Sequence, residues 1–490
     1  MSLSRLAAEA GIALDGDGAA LARIGVTGFA IDHRKVAPGT VFGAFRGTKV
    51  NGEDFITAAV AGGAVAVVAR REATVRGALH IADPEPRRAF ARLAARFFVP
   101  FPDTIVAVTG TNGKTSIVEM TRQLWRMAGE RAASIGTLGV TTPDESVSTG
   151  LTTPDIVTFL SNLSGLAREG VTHVAFEASS HGLSQFRNEG VTVKSAAFSN
   201  LSRDHLDYHA HMDDYFAAKM RLFDEVVEAG GSAVIWADDI WSSKVCEHAA
   251  KRGLGVFTVG ERGEAIRLLA RHPGQLGQEL EVEYAGVRRT VKLPLIGAYQ
   301  AANALVAAGL VITTGGDPAA TFDALARLQP VRGRLERAGI SRAGAPIYVD
   351  YAHTPDALEA AIAALRAHVN GKLITVFGAG GDRDPGKRPA MGAVAARASD
   401  EVIVTDDNPR GENAAAIRRA ILAACAGATE IGDRRAAIAE AIRRAGRDDI
   451  VLIAGKGHEQ GQIVGAGEAM RILPFDDVTV ARECAGPSGE

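Results

Sequence analysis

The sequence holds three cysteines in 490 residues, Cys246, Cys425 and Cys484, far apart along the chain. That excludes a disulfide framework and any cysteine-based metal site, and it fits a reducing, cytoplasmic setting. Charge of one sign is not in excess either. With 54 basic against 57 acidic residues the net charge is −3, which argues against a nucleic-acid partner. No long hydrophobic run occurs. The longest, residues 58–69, is rich in Gly and Ala and too short to span a bilayer. The opening MSLSRLAAEAGIAL lacks the continuous apolar core of a secretory signal. Membranes and nucleic acid being set aside, the expected partners are small molecules, and the expected state is a monomer. Aromatic residues are scarce at 6%, whereas glycine is plentiful at 55, which suggests many tight turns and an α/β plan.

At this length one core does not suffice, and 47% hydrophobic residues can fill several. Three α/β domains are expected, over residues 1–102, 103–329 and 330–490. The first combines short strands such as 65–69 with a helix near 84–98, which Val99-Pro100-Phe101-Pro102 ends. The second repeats strand and helix, with strands near 105–108, 171–177, 195–199 and 232–236, the mark of a parallel sheet. Residues 280–284 and 287–293 alternate as a hairpin turning at Ala285-Gly286. Beyond Gln329-Pro330-Val331, four apolar runs at 347–350, 373–377, 401–405 and 450–454 point to a separate Rossmann-like domain.

The most informative segment is VAVTGTNGKT, residues 106–115. A β-branched run meets Gly110, and Gly113-Lys114-Thr115 open a stretch of helical composition. Such a loop turns backbone N–H groups of Gly110, Thr111, Asn112 and Gly113 and a positive helix end toward phosphate oxygens. Lys114 would reach the β/γ-phosphates and Thr115 would sit on Mg²⁺. Val108 stands where the full P-loop pattern has a glycine, so the loop is a shortened one. The plainer alternative is a turn that happens to contain GKT.

Glu177 ends a strand in HVAFEASSHGL. A carboxylate there sits where parallel sheets bind ligands, and oxygen donors suit Mg²⁺; a solvent-facing Glu is the alternative. The stretch 200–223, NLSRDHLDYHAHMDDYFAAKMRLF, holds His205, His209 and His211 among four aspartates, with no zinc pattern. Lys219 lies in its mostly apolar end. It either snorkels to solvent or is buried. Burial favours a neutral amine, which can take up CO₂ as a carbamate and become an anionic metal ligand. Three polar loops follow three strands of the last domain: GAGGDRDPGKRP at 378–389 with Arg383 and Arg388, Asp407-Asn408-Pro409-Arg410, and Gly455-Lys456-Gly457-His458-Glu459. They should converge on one crevice, suited to a ligand with both carboxylates and ammonium groups.

Together these residues resemble the Mur ligases, the ATP-dependent amide-forming enzymes of bacterial cell-wall synthesis. The motifs are GTNGKT at 110–115, LTTPD at 151–155, EASSHGL at 177–183, DHLDYH at 204–209, AAK at 217–219, VDYAHTPD at 349–356 and GDRDPGKRP at 381–389. DNPR at 407–410 is similar to the signature of members that add meso-diaminopimelate. The resemblance implies addition of that amino acid to the UDP-muramoyl dipeptide through an acyl phosphate. It implies that Lys114, His205 and Lys219 are catalytic. The metal would be held by Thr115, Glu177, His205 and carbamylated Lys219. Thr152, Thr153, Ser179, Gln185 and Arg187 would hold the UDP precursor. Asn303, Arg334 and Asp350 would join residues 110–115 in contacting ATP. Arg383, Asp407, Asn408, Pro409, Arg410, Gly455 and Glu459 would hold diaminopimelate. His33 and Gln300 stand where the family usually has Ser and Asn. Two rivals are a folylpolyglutamate synthase, disfavoured by DNPR and by the domain ahead of the loop, and a nucleotide switch without ligase activity.

Overall fold

The structure, a computed structural model, describes all residues except 48–49, 143–144, 148–151, 203–208, 210, 275, 383 and 487–490. It divides into two compact units, Met1–Ala265 with Val306–Pro318, and Ile266–Leu305 with Ala319–Glu490.

The first unit begins with four parallel strands in chain order, Gly28–Ala30, Thr40–Gly43, Ala64–Ala69 and Leu79–Ala82. The helix Pro86–Phe97 follows, starting on the proline whose fixed φ suits a first turn. Its buried Phe90 and Leu93 share one apolar cluster with Ile105, Val174 and Phe176, so this segment and the next sheet are packed as one. In that sheet the parallel strands run, from one side, Gly255–Gly260, Val227–Trp236, Val193–Phe198, Thr104–Thr109, His173–Glu177 and Ala132–Gly136. Gly139–Thr141 and Ser146–Val147 extend it antiparallel, which the sequence reading did not foresee. Thr104–Thr109 is buried on both faces, as expected of a central parallel strand. The strand order places the glycine loop that follows it between the ends of Val193–Phe198 and His173–Glu177. The helix bearing Lys219 starts before its apolar stretch and ends within it. It runs Met212–Arg221 and widens into a π-helical turn, Leu222–Val226.

The second unit opens with three antiparallel strands, Ile266–Gly274, Gly277–Tyr284 and Val287–Leu293. The last two join at Ala285 (φ 50°) and Gly286 (φ 77°), the doubly positive pair that a tight hairpin turn requires. A six-stranded sheet follows in the order Glu336–Ile340, Pro346–Asp350, Ile450–Ala454, Leu373–Phe377, Glu401–Val404, Thr429–Glu430, and only the first strand is antiparallel. Alternate residues enter different cores. Tyr348 and Leu452 belong to one cluster, and Ile347, Val349, Val451 and Ile453 to another. Both faces are therefore covered, and function is left to the loops at the strands' C-terminal ends. Among the described residues no helix is long and apolar enough to cross a membrane.

Candidate active site

The glycine loop leaves its strand at Gly110 (φ 143°) and enters the helix Lys114–Met127 at Gly113 (φ 89°). Both backbones lie where a side chain is strained. A Cβ at Gly110 would meet Ser199 Oγ at 2.0 Å. The loop is held by the segment after the strand Val193–Phe198. Thr111 N donates to the Asn200 carbonyl at 2.8 Å, and Asn112 N to Asn200 Oδ1 at 2.9 Å. Ser199 Oγ and Asn200 Nδ2 both donate to the Asn112 carbonyl, at 2.6 and 3.1 Å. Sequence reasoning missed Asn200, which has no pattern of its own. Lys114 Nζ donates to the carbonyls of Gly110 and Thr111, at 3.0 and 2.8 Å, curled over the loop it would serve. Thr115 is buried at the helix start.

Lys219 settles the choice between snorkelling and burial. It is 1% exposed, and Nζ donates to the Gly110 carbonyl at 2.7 Å. Nζ also lies 4.3 Å from the centre of the Tyr215 ring, one turn back on the same helix. A carbamate keeps one N–H, so this bond to Gly110 would survive the modification. His205 and Arg383 lie outside the described residues. Among the described residues no three His, Cys, Asp or Glu side chains cluster as a metal site.

Glu177 is buried and anchors a continuous network. Thr137 N donates to its Oε1 at 2.7 Å, and Thr137 Oγ1 lies 3.2 Å from Oε2 and 3.1 Å from Thr152 Oγ1. Thr153 Oγ1 donates to the Glu177 carbonyl at 2.9 Å and accepts from Ser179 N at 3.2 Å. Ser179 Oγ caps the short helix Ser180–Ser184 through Gly182 N at 3.1 Å. Arg187 donates to the Thr153 carbonyl at 2.7 Å and to Gln185 Oε1 at 2.8 Å. The five residues expected at the UDP precursor are thus one connected patch beside Glu177. In the first sheet's segment, His33 stacks on Phe55 with ring centres 4.5 Å apart.

In the second unit Asp350 ends its strand at 8% exposure and accepts from Leu335 N at 2.8 Å and Ala352 N at 2.9 Å. Burial pushes its pKa up, against the pull of Arg334 and the two N–H groups. Gln300 bridges Arg334 and Asn303: its Nε2 donates to the Arg334 carbonyl at 2.8 Å, and its Oε1 accepts from Asn303 Nδ2 at 3.1 Å. The Arg334 guanidinium lies 5.0 Å from the centre of the Tyr351 ring, and His458 packs on that ring at 4.9 Å. Burial, then Arg334, Arg332 and His353, push the His458 pKa down to about 4, so its imidazole is neutral.

The three loops do converge. Gly381 N donates to the Asn408 carbonyl at 2.9 Å, and an Arg410 guanidinium N–H to the Gly381 carbonyl, also at 2.9 Å. Asn408 Nδ2 donates to Glu459 Oε2 at 2.8 Å, across 51 residues of chain. Gly455 (φ 120°) is required: a Cβ there would meet Asp407 Oδ2 at 2.7 Å. Pro409 precedes Arg410, whose φ of 51° marks a tight turn. Lys456, absent from the expected site residues, is fully buried among Asp407, Asn408 and Glu459.

Comparison with known proteins matches three family models in order: the Mur ligase family catalytic domain over 25–98, the Mur ligase middle domain over 108–311, and the Mur ligase glutamate ligase domain over 333–457. The chain belongs to the Mur ligase family. This Mur ligase is 61% identical over 458 residues to the UDP-N-acetylmuramoyl-L-alanyl-D-glutamate–2,6-diaminopimelate ligase of Zymomonas mobilis, covering 94% of each chain. It is 53% identical to the protein of that name from Bradyrhizobium diazoefficiens, again over 94% of each. A solved structure of a ligase of the same name aligns with a TM-score of 0.74 at 33% identity, covering 99% of this chain and 98% of that one. The Mur ligase fold, three α/β domains with parallel sheets, is therefore the fold of this chain, and it is a ligase.

Proposed function

We propose that this Mur ligase uses ATP to join meso-2,6-diaminopimelate to the D-glutamyl carboxylate of UDP-N-acetylmuramoyl-L-alanyl-D-glutamate, in cytoplasmic peptidoglycan synthesis. The observation that supports the amino acid most is the crevice of Asn408, Arg410, Gly455 and Glu459. It ties a carboxylate, Glu459, and a guanidinium, Arg410, into one loop cluster through Asn408 and Gly381, the two charges that a free amino-acid head group requires. The names of the relatives support the same choice.

In this reading the γ-carboxylate of the precursor attacks the ATP γ-phosphate, giving an acyl phosphate and ADP. The diaminopimelate amine then attacks the acyl carbon, forms the amide, loses a proton and releases phosphate. Gly110, Thr111, Asn112, Gly113 and Lys114 cradle the transferring phosphates, and Asn303, Arg334 and Asp350 contact the nucleotide. Thr152, Thr153, Ser179, Gln185 and Arg187 hold the precursor. Glu177 and Thr115 offer oxygen donors suited to Mg²⁺, with His205 and carbamylated Lys219 completing the set. The metal would offset the charge as two anions approach. Arg383, Asp407 and Pro409 belong with the crevice residues around diaminopimelate.

The chain works as a monomer, with domains over 1–102, 103–329 and 330–490; the matched family segments end at 98 and 311 and resume at 108 and 333, on either side of those limits. The test is phosphate release with ATP and precursor against a panel of amino acids. Release that needs both precursor and diaminopimelate is expected. Equal release with L-lysine, or release without any amino acid, would overturn the assignment.

A further inference from the structure

We infer that Lys456 is a positioning residue for amino-acid selection: its buried ammonium fixes the Asn408 carboxamide and one oxygen of Glu459, so that the other oxygen faces the crevice. The inference rests on the amino-acid site proposed above and adds a residue to it.

Lys456 is fully buried although it sits in a glycine-flanked polar loop. Its Nζ donates to Asn408 Oδ1 at 2.9 Å, lies 3.3 Å from Glu459 Oε2 and 3.8 Å from Asp407 Oδ1. Lys456 therefore joins the loop after Ile450–Ala454 to the loop after Glu401–Val404. A buried ammonium is tolerated only where such partners surround it.

The consequences for Asn408 follow from its donor and acceptor inventory. Its Oδ1 accepts from Lys456 Nζ and also from Ile463 N, at 2.9 Å each, which fills both lone pairs. The amide cannot flip without facing its NH₂ to two donors. Its Nδ2 is thereby committed as a donor and bonds Glu459 Oε2 at 2.8 Å. Lys456 and Asn408 both fall on Oε2. Among the described residues no hydrogen bond to Glu459 Oε1 occurs. The Glu459 side chain is 31% exposed where Lys456 is 0%, so the carboxylate lies at the accessible side of the cluster with the ammonium enclosed behind it. With both partners on Oε2, Oε1 is left as the acceptor for an ammonium group. It lies in the same loop cluster as Arg410, whose guanidinium is a donor for a carboxylate.

Charge supports the same arrangement. Asp407 and Glu459 bring two negative charges to this small space. Arg434 also bears on both, but it is committed to Asp477 through two bonds of 2.7 Å. Lys456 is the cation bonded to Glu459 itself. An apolar side chain in its place would leave Asn408 Oδ1 short of a donor and Glu459 free to turn.

The experiment compares wild type, Lys456→Met, Glu459→Gln and the double variant in the ligase assay, with thermal melts as a check on folding. Lys456→Met is expected to raise the KM for diaminopimelate by about tenfold or more, the usual scale for a lost bond to a charged group. KM for ATP and for the UDP precursor should stay within about twofold. The double variant should be little worse than the worse single one, because Lys456 acts through Glu459. An unchanged diaminopimelate KM, or fully additive losses, would overturn the inference. If Lys456→Met does not fold, Lys456→Gln, which keeps an N–H for Asn408, is read the same way; losses spread evenly over all three substrates would then mean a merely structural lysine. If wild type turns over another amino acid instead, the substrate assignment falls, and Lys456 is tested with that amino acid.

Discussion

Lys114 and Lys219 reach the same carbonyl, Gly110 O, at 3.0 and 2.7 Å, from opposite sides of burial. Lys114 is half-buried on the loop that would cradle a phosphate, whereas Lys219 is 1% exposed. An amine so enclosed is the one suited to a carbamate. Lys219→Ala should lower ligase activity by about 10²-fold or more, the scale of losing one preorganised charge in a transition state. Added bicarbonate should not restore it, since no amine remains to take up CO₂, and Lys219→Arg should fail as well. Near-normal turnover in either variant would sink the carbamate role. Arg410 poses a different test. Meso-diaminopimelate and L-lysine differ mainly by one distal carboxylate, and a planar guanidinium suits that group. Wild type should prefer diaminopimelate by several orders of magnitude, because a half-buried guanidinium left without its carboxylate penalises lysine. Arg410→Ala should narrow that ratio; a ratio left unchanged would mean that Arg410 only stiffens the turn after Pro409. At this scale the sequence was readable where spacing is fixed by chemistry, as in Gly110 to Thr115. It was not readable for Asn200, Gln300 and Lys456, each of which also bonds a partner 34 to 88 residues away that only the tertiary fold brings near.

Strands and helices carried the clearest signals. The apolar runs at 105–108, 347–350, 373–377 and 450–454 appear as buried parallel strands because both faces of such a sheet are covered. The Ala285-Gly286 turn appears because few residue pairs accept two positive φ angles. The π-helical turn at Leu222–Val226 was hidden, since LFDEV continues a helical composition and only the backbone pattern changes. Convergence of the three loops was inferred from strand ends and holds through the Asn408–Glu459 and Arg410–Gly381 bonds. Element positions also separate two binding events. The phosphate loop follows Thr104–Thr109, whereas the Thr153–Ser179–Arg187 network hangs on the end of His173–Glu177. Lys114→Ala and Thr115→Ala should each weaken nucleotide–Mg²⁺ use by about tenfold or more, one charge-assisted contact each. Precursor affinity should stay within about twofold in both. Calorimetric titration decides it: an equal loss of precursor binding would mean that the two networks are one.

Each of the two compact units contains apolar clusters of its own. Unit 1 is packed by a cluster running from Leu3 and Phe90 to Phe176 and Phe198, and unit 2 by clusters on both faces of its six-stranded sheet. The sequence showed that several cores were needed. It could not show that Ile266–Leu305 packs with residues beyond 318, because membership of a core is a long-range property. Chains with more than one core often unfold in more than one step. A ligand stabilises only the part whose folded form binds it, by about 2.7 kcal/mol at a concentration 100 times its Kd. Thr152, Thr153, Ser179, Gln185 and Arg187 all belong to unit 1. The first unit's tie between Arg88, Arg92 and Glu189, at 2.9 and 3.1 Å, lies two residues from Arg187. The UDP precursor should therefore raise one of two calorimetric transitions by roughly 5 °C or more, and leave the other in place. Arg187→Ala should abolish that shift without moving either transition in the unliganded protein by a comparable amount. A single transition that rises as a whole would show that the units unfold together, and a shift that survives Arg187→Ala would remove that residue from the precursor site.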